Sequence, residues 1–200
     1  MSRITVAPDP FTLVPYDVDS IKALLEEAAA LAGVASTVDI SLTVDEELFA
    51  PLTGHMSDVV DGRISLWISG GNFEDNKRPT YFSADQARID LAVMMLRAGD
   101  RLSDDFAAAP PDAQLPRGER VAWDTYAVGR AAKLGVDVRR PRQLYDFRLQ
   151  HGFTDVADAA FDRCWESAHM TWEGIREIAK ETGAADRDPS KVPVDLLRQK

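Results

Sequence analysis

Cysteine is almost missing from this chain: Cys164 stands alone in 200 residues. That excludes an internal disulfide, a cysteine-pair metal knuckle and a redox dithiol. Histidine is nearly as scarce. His55, His151 and His169 lie far apart, and none has a second histidine at ligand spacing, so neither a metal nor any other cofactor is expected. Long apolar runs are missing too. The opening stretch MSRITVAPDPFTLVPYD holds one early Arg3 and no uninterrupted hydrophobic segment, so no secretory signal and no membrane partner is expected, and the cytoplasm is the expected compartment. Catalytic signatures are equally sparse: there is no Gly-x-Ser-x-Gly elbow, no Ser-x-x-Lys pair, and Gly70-Gly71 has the spacing of neither phosphate-binding glycine motif.

What is present is an acidic chain of net charge -10 with 45% hydrophobic residues, enough to build a real core. The charge is unevenly spread. Residues 1–80 carry 5 basic and 13 acidic groups, whereas residues 81–152 carry 11 and 10, so the middle of the chain is where an anion could dock. The overall charge makes nucleic acid an unfavourable partner, because the phosphate term that dominates such binding would be repulsive.

Apolar residues from Ile21 to Ala32 recur at helical spacing between Asp19 and Gly33, which predicts a helix over about 20–32. Val38, Ile40, Leu42 and Val44 then alternate with polar residues as in a strand. Val59-Val60 and Ile64 to Ile68 flank Asp61-Gly62, the dipeptide best suited to a tight hairpin. Gly70 to Pro79 reads as a loop with a buried Phe73, and Ser83 with Gln86 forms a capping box for a long, deeply buried helix. After Ser83 no strand pattern recurs, and helices are expected over 117–134, 141–151, 154–169 and 171–182. The expected fold is α+β: an N-terminal helix and a small, mainly antiparallel sheet of three or more strands on a long buried helix, then an all-helical half. A single domain over 1–183 and a loosely held tail over 184–200 are expected, with AAAPPDAQLP at 107–116 the one linker candidate.

This order of elements is that of the core of small zinc metallopeptidases, whose buried helix carries His-Glu-x-x-His. The motif is missing. Arg88 to Met94 stand in its place, and the i, i+4 pair there is Asp90 and Met94, which does not hold zinc. A shared order of elements is analogy of fold only.

Four groups of side chains remain. On the helix at 154–169, Val156, Ala160, Phe161, Cys164 and Ala168 form an apolar arc that packs Cys164 as a buried thiol. Asp155, Asp158, Asp162, Glu166 and His169 crowd a strip about 80° wide, a candidate surface for a divalent cation or a basic partner. Arg139, Arg140 and Arg142, with Arg130, Lys133 and Arg148, make a basic patch that could meet a phosphate, an acidic surface or the acidic N-terminal half. Asp90, Arg97 and Arg101 share a narrow polar strip on the long helix and are expected to form a buried polar cluster. His151 is expected in the last turn of its helix, and His55 in a surface turn. These features point to a non-catalytic binding or regulatory protein that meets a protein partner, or itself, through charged patches. The alternative is an enzyme or ligand-binding protein whose site is assembled only in three dimensions.

Overall fold

The computed structural model describes residues 3–75 and 78–186. The chain divides into two compact units, Met1–Ala107 with Ala131–Val138, and Ala108–Arg130 with Arg139–Lys200. The expected tail lies outside the described residues from 187 onward, while Ala184–Asp186 form a 3₁₀ turn.

In the first unit, strand β1 (Ile4–Ala7) leads into helix α1 (Val18–Leu31), followed by β2 (Ile40–Asp45), β3 (His55–Val60) and β4 (Arg63–Ser69). Asp17 caps α1 by accepting from the Ser20 amide, and Gly33 follows the helix at φ 68°, a conformation glycine adopts without strain. Asp61 and Gly62 both take positive φ in the β3–β4 turn, as a two-residue hairpin requires. The expected mainly antiparallel sheet is corrected: its order is β1-β2-β4-β3, with two parallel pairings and only β3–β4 antiparallel. The cause is β1, a four-residue strand without flanking periodicity. With α1 as the crossover, β1 and β2 run the same way, and β4 inserts between its hairpin partner β3 and β2, to which it is parallel.

One sheet face is apolar. Val6, Ile40, Leu42, Val44, Ile64, Leu66 and Ile68 pack with Ile21 and Leu25 of α1 and with Leu91, Met94 and Met95 of helix α2 (Ala84–Arg101). α2 is less enclosed than its composition suggests. It is buried without a break from Leu91 to Ala98, whereas Ala84, Asp85 and Arg88 are exposed and Ile89 and Asp90 half-buried. The segment before it is not a plain loop either. Gly70–Phe73 form a 3₁₀ turn, and β5 (Glu74–Asp75) pairs with β6 (Arg78–Phe82), with Phe73 buried as expected; Asn76 and Lys77 lie outside the described residues. Among the described residues no strand follows Phe82, as the loss of alternation after Ser83 implies.

The second unit is helical: most of α3 (Arg117–Lys133), then α4 (Arg140–His151), α5 (Asp155–Glu166) and α6 (Trp172–Glu181). Trp123 is fully buried with its ring 5.8 Å from that of Trp172. His151 does end α4 as expected, but it is buried. Its Nε2 donates to the Gly118 carbonyl at 3.1 Å, its Nδ1 meets the Thr182 hydroxyl at 2.7 Å, and its ring stacks on Phe147, so one imidazole ties together the ends of three helices.

Candidate interaction surfaces

Helices α4 and α5 form a hairpin. Pro141 supplies a preset φ in the first turn of α4, and Gly152 at φ 103° ends it. Thr154 then caps α5 through Oγ1, which accepts from the Ala157 amide at 3.2 Å. The two charged patches face each other across this hairpin. Arg148 grips Asp158 with two hydrogen bonds, Nε to Oδ1 at 2.7 Å and Nη2 to Oδ2 at 2.5 Å, and Arg140 Nη2 donates to Asp162 Oδ1 at 2.5 Å. The Arg140 guanidinium also lies over the rings of Phe161 and Trp165. These arginines thus pair with α5, the next helix in the chain, because a tight antiparallel hairpin places α4 and α5 side by side.

The remaining members of the two sets are dispersed. α5 stops at Glu166 because Ser167 turns extended (ψ 135°), so His169 lies past the helix end and not on its acidic face. Glu166 and His169 are both exposed, and no group of three or more His, Cys, Asp or Glu able to hold a metal occurs among the described residues. Arg139 is the N-cap residue of α4, and Arg142 lies 4.0 Å from Asp146 one turn on. Cys164 is buried, and burial pushes its thiol up to about 12, far from the reactive thiolate.

The Arg148–Asp158 pair sets a pH dependence. The hydrogen bonds from Arg148 hold the Asp158 carboxyl below its ordinary value of 3.8. A depressed carboxylate stabilises the fold above the unfolded value, and that contribution is lost as pH falls through the folded one. In Arg148→Gln the Asp158 value should return towards 3.8 in a side-chain NMR titration. Urea unfolding of parent and variant should differ at pH 7 and converge as pH falls through the folded Asp158 value. Parallel stability curves across that range would show that the pair does not titrate with folding.

On α2 the expected polar cluster is spread along the helix. Arg97 is fully buried, while the Arg101 side chain, nearly buried, reaches Asp58 of β3 at 3.6 Å. Asp90 lies two turns away from Arg97 and accepts from Asn72 Nδ2 at 3.2 Å and from Gln86 Nε2 at 3.3 Å. Met94 is fully buried in the core, so Asp90 and Met94 face different surroundings. His55, expected in a surface turn, begins β3 and is half-buried.

Two further surfaces were not foreseen. The first is apolar: Tyr145, Leu149, Phe153 and Val156 are 55%, 60%, 63% and 55% exposed, with the Tyr145 and Phe153 rings in edge contact at 6.0 Å. Val156 and Ala168 were expected on the buried arc of α5, but both are exposed, and Ala157, Ala160, Phe161, Cys164 and Trp165 take the buried positions. The signal was the i, i+4 spacing of Tyr145 and Leu149, yet Phe147 and Gln150 on the other face are equally periodic, and only packing chooses between them.

The second is a cleft of about 220 Å³ on the sheet, lined by Arg3, Thr5, Asp39, Ile40, Ser41, Arg63 and Ile64. It lies where the parallel strands begin. Their opposite ends are occupied by the chain itself: Glu46 accepts from the amides of Thr12 and Leu13 at 2.9 and 2.7 Å, and the buried Tyr16 hydroxyl donates to the Gly70 carbonyl. Those amides hold the Glu46 carboxyl below its ordinary value. Comparison with family models, with curated proteins and with solved structures found no match. The chain's own surfaces therefore carry the functional reading.

Proposed function

We propose that this chain is a non-catalytic interaction protein that docks through the α4–α5 ridge, and that the occupant of the ridge is a second copy of the chain. The observation that supports it most is the run of four large apolar side chains in solvent on one helical hairpin. Two aromatic and two aliphatic side chains, each more than half exposed, present on the order of 400 Å² of apolar surface. That is close to the apolar share of one side of a standard interface, which buries ~800 Å² per partner, somewhat over half of it apolar.

Charge favours self-docking. Arg139 starts α4, and Asp155 starts α5 beside the far end of α4, some 18 Å away along a helix of this length. Both are exposed, and neither has an ion-pair partner among the described residues. A ridge with a cation at one end and an anion at the other is complementary to itself under a two-fold axis. The alternative, an enzyme site assembled in three dimensions, calls for acid–base or ligating groups converging in a closed pocket. The cleft on the sheet instead offers guanidinium groups, hydroxyls and one carboxylate that already accepts a backbone hydrogen bond, a set for holding an anion rather than for moving a proton.

Analytical ultracentrifugation over 1–200 µM, a range chosen around a micromolar dissociation constant, should show a concentration-dependent dimer. Leu149→Glu with Phe153→Glu should weaken it at least 100-fold while leaving the circular dichroism spectrum unchanged. Arg139→Glu should weaken the dimer about tenfold, and adding Asp155→Arg should restore it. A parent that sediments as a monomer throughout, or a charge swap without recovery, would overturn the second copy as occupant.

A further inference from the structure

We infer that the cleft at the start of the sheet is a binding site for a small oxyanion ligand, a phosphate ester or a polycarboxylate. The register of the sheet builds it. The Ile40 amide donates to the Arg3 carbonyl at 3.1 Å and the Ile64 amide to the Asp39 carbonyl at 2.9 Å, so Arg3, Asp39 and Arg63 stand in one row across three adjacent strands. At ~4.8 Å per strand the two arginines flank the row at ~10 Å between Cα atoms, within reach of one small molecule laid between them. The next row on the same face is Thr5, Ser41 and Ser65, three exposed hydroxyl residues, of which Thr5 and Ser41 line the cleft. Beneath lie the buried Ile40 and Ile64.

The electrostatics make the assignment. Residues 1–80 hold 13 acidic groups against 5 basic ones, yet neither Arg3 nor Arg63 forms an ion pair among the described residues. Asp39, the one carboxylate in the row, accepts from the Arg3 backbone amide at 3.1 Å, and the row keeps a net charge of +1. Two guanidinium forks beside the Thr5 hydroxyl suit the oxygens of a phosphoryl or carboxylate group, while the Ser41 hydroxyl donates to the Ile64 carbonyl at 3.3 Å. The side chain of Asp39 can in turn accept from a hydroxyl or amine on the same ligand. A cleft of about 220 Å³ takes a metabolite-sized molecule, and the net charge of -10 disfavours a polyanionic macromolecule on the same arginines. This site shares no residue with the α4–α5 ridge and stands whether or not the chain dimerises.

The test is an amide NMR titration of the full chain at low salt, with inorganic phosphate in one arm and citrate in the other. Saturable shifts confined to Thr5, Ile40, Ser41 and Ile64 are expected. The apparent affinity should fall about tenfold in Arg63→Gln, fall below detection in Arg3→Gln with Arg63→Gln, and stay unchanged in Arg142→Gln. Tighter binding of phosphate assigns a phosphoryl ligand, and tighter binding of citrate a polycarboxylate. Linear, non-saturating shifts in both arms would overturn the site, as would an Arg63→Gln protein that titrates like the parent.

Discussion

Gly129→Ala should cost the helical unit about 3 kcal/mol or more, the upper range for forcing atoms into a packed site. A Cβ at this position would lie 2.4 Å from the carbonyl oxygen of Trp165 and 2.9 Å from its Cα. Both are backbone atoms, so no side chain can rotate away and α3 must move off α5. The loss should spread to Trp123, Tyr126 and Trp165, which pack the same helices. For a unit of this size the expected fall in melting temperature exceeds 10 °C. Gly99→Ala in α2 is the control with the opposite sign: its nearest neighbour, the Ala32 carbonyl, is 3.7 Å away. There alanine brings its helix propensity, worth ~1 kcal/mol, at no steric cost. A Gly129→Ala protein that melts within two degrees of the parent would mean that α3 and α5 do not touch as described.

Arg97→Ala is the second large effect. Arg97 is fully buried and, after Trp123, the largest side chain in that state. Its removal leaves a cavity in the middle of α2 and strips the compensation from whatever polar groups face the guanidinium. Breaking such an arrangement from one side costs ~3–5 kcal/mol. Arg97→Lys should recover only part of it, since an ammonium keeps the charge but not the planar fork of donors. Chemical denaturation of both variants measures this. An alanine variant as stable as the parent would show that the guanidinium stabilises nothing, whatever its burial.

The helices were legible because their signals are local. Asp17, Ser83, Thr154 and Thr171 each cap the amide three residues ahead, Gly33, Gly152 and Gly183 take the positive φ that ends or follows a helix, and Asp61-Gly62 closes its hairpin within four residues. The ends of α1, α3, α4 and α6 fall within two residues of where periodicity places them. The errors occur where the signal is not local. β1 is four residues long and acquires meaning only by pairing with β2, 36 positions later in the chain. The arc read on α5 put Val156 inside because hydrophobicity cannot say which of two adjacent positions, 156 or 157, meets α4.

The site residues divide in the same way. Reading charge along the chain found Arg140, Arg148, Asp158 and Asp162, but treated the basic and acidic sets as separate surfaces when the hairpin pairs them with each other. Arg3, Asp39 and Arg63 are spaced 36 and 24 residues apart, so no window contains the row they form. By itself the sequence determined the helices, the Ser83 cap, the Asp61-Gly62 turn, the break from strands to helices after residue 82, and the burial of Cys164 and Phe73, but not β1, β5 or β6. Only the tertiary structure decided that the sheet is mainly parallel, that Tyr145, Leu149, Phe153 and Val156 face solvent, and that two arginines flank Asp39 across three strands. Helix caps and turns are closed by hydrogen bonds between near neighbours, whereas strand register and helix face are chosen by burying apolar area against segments tens of residues away.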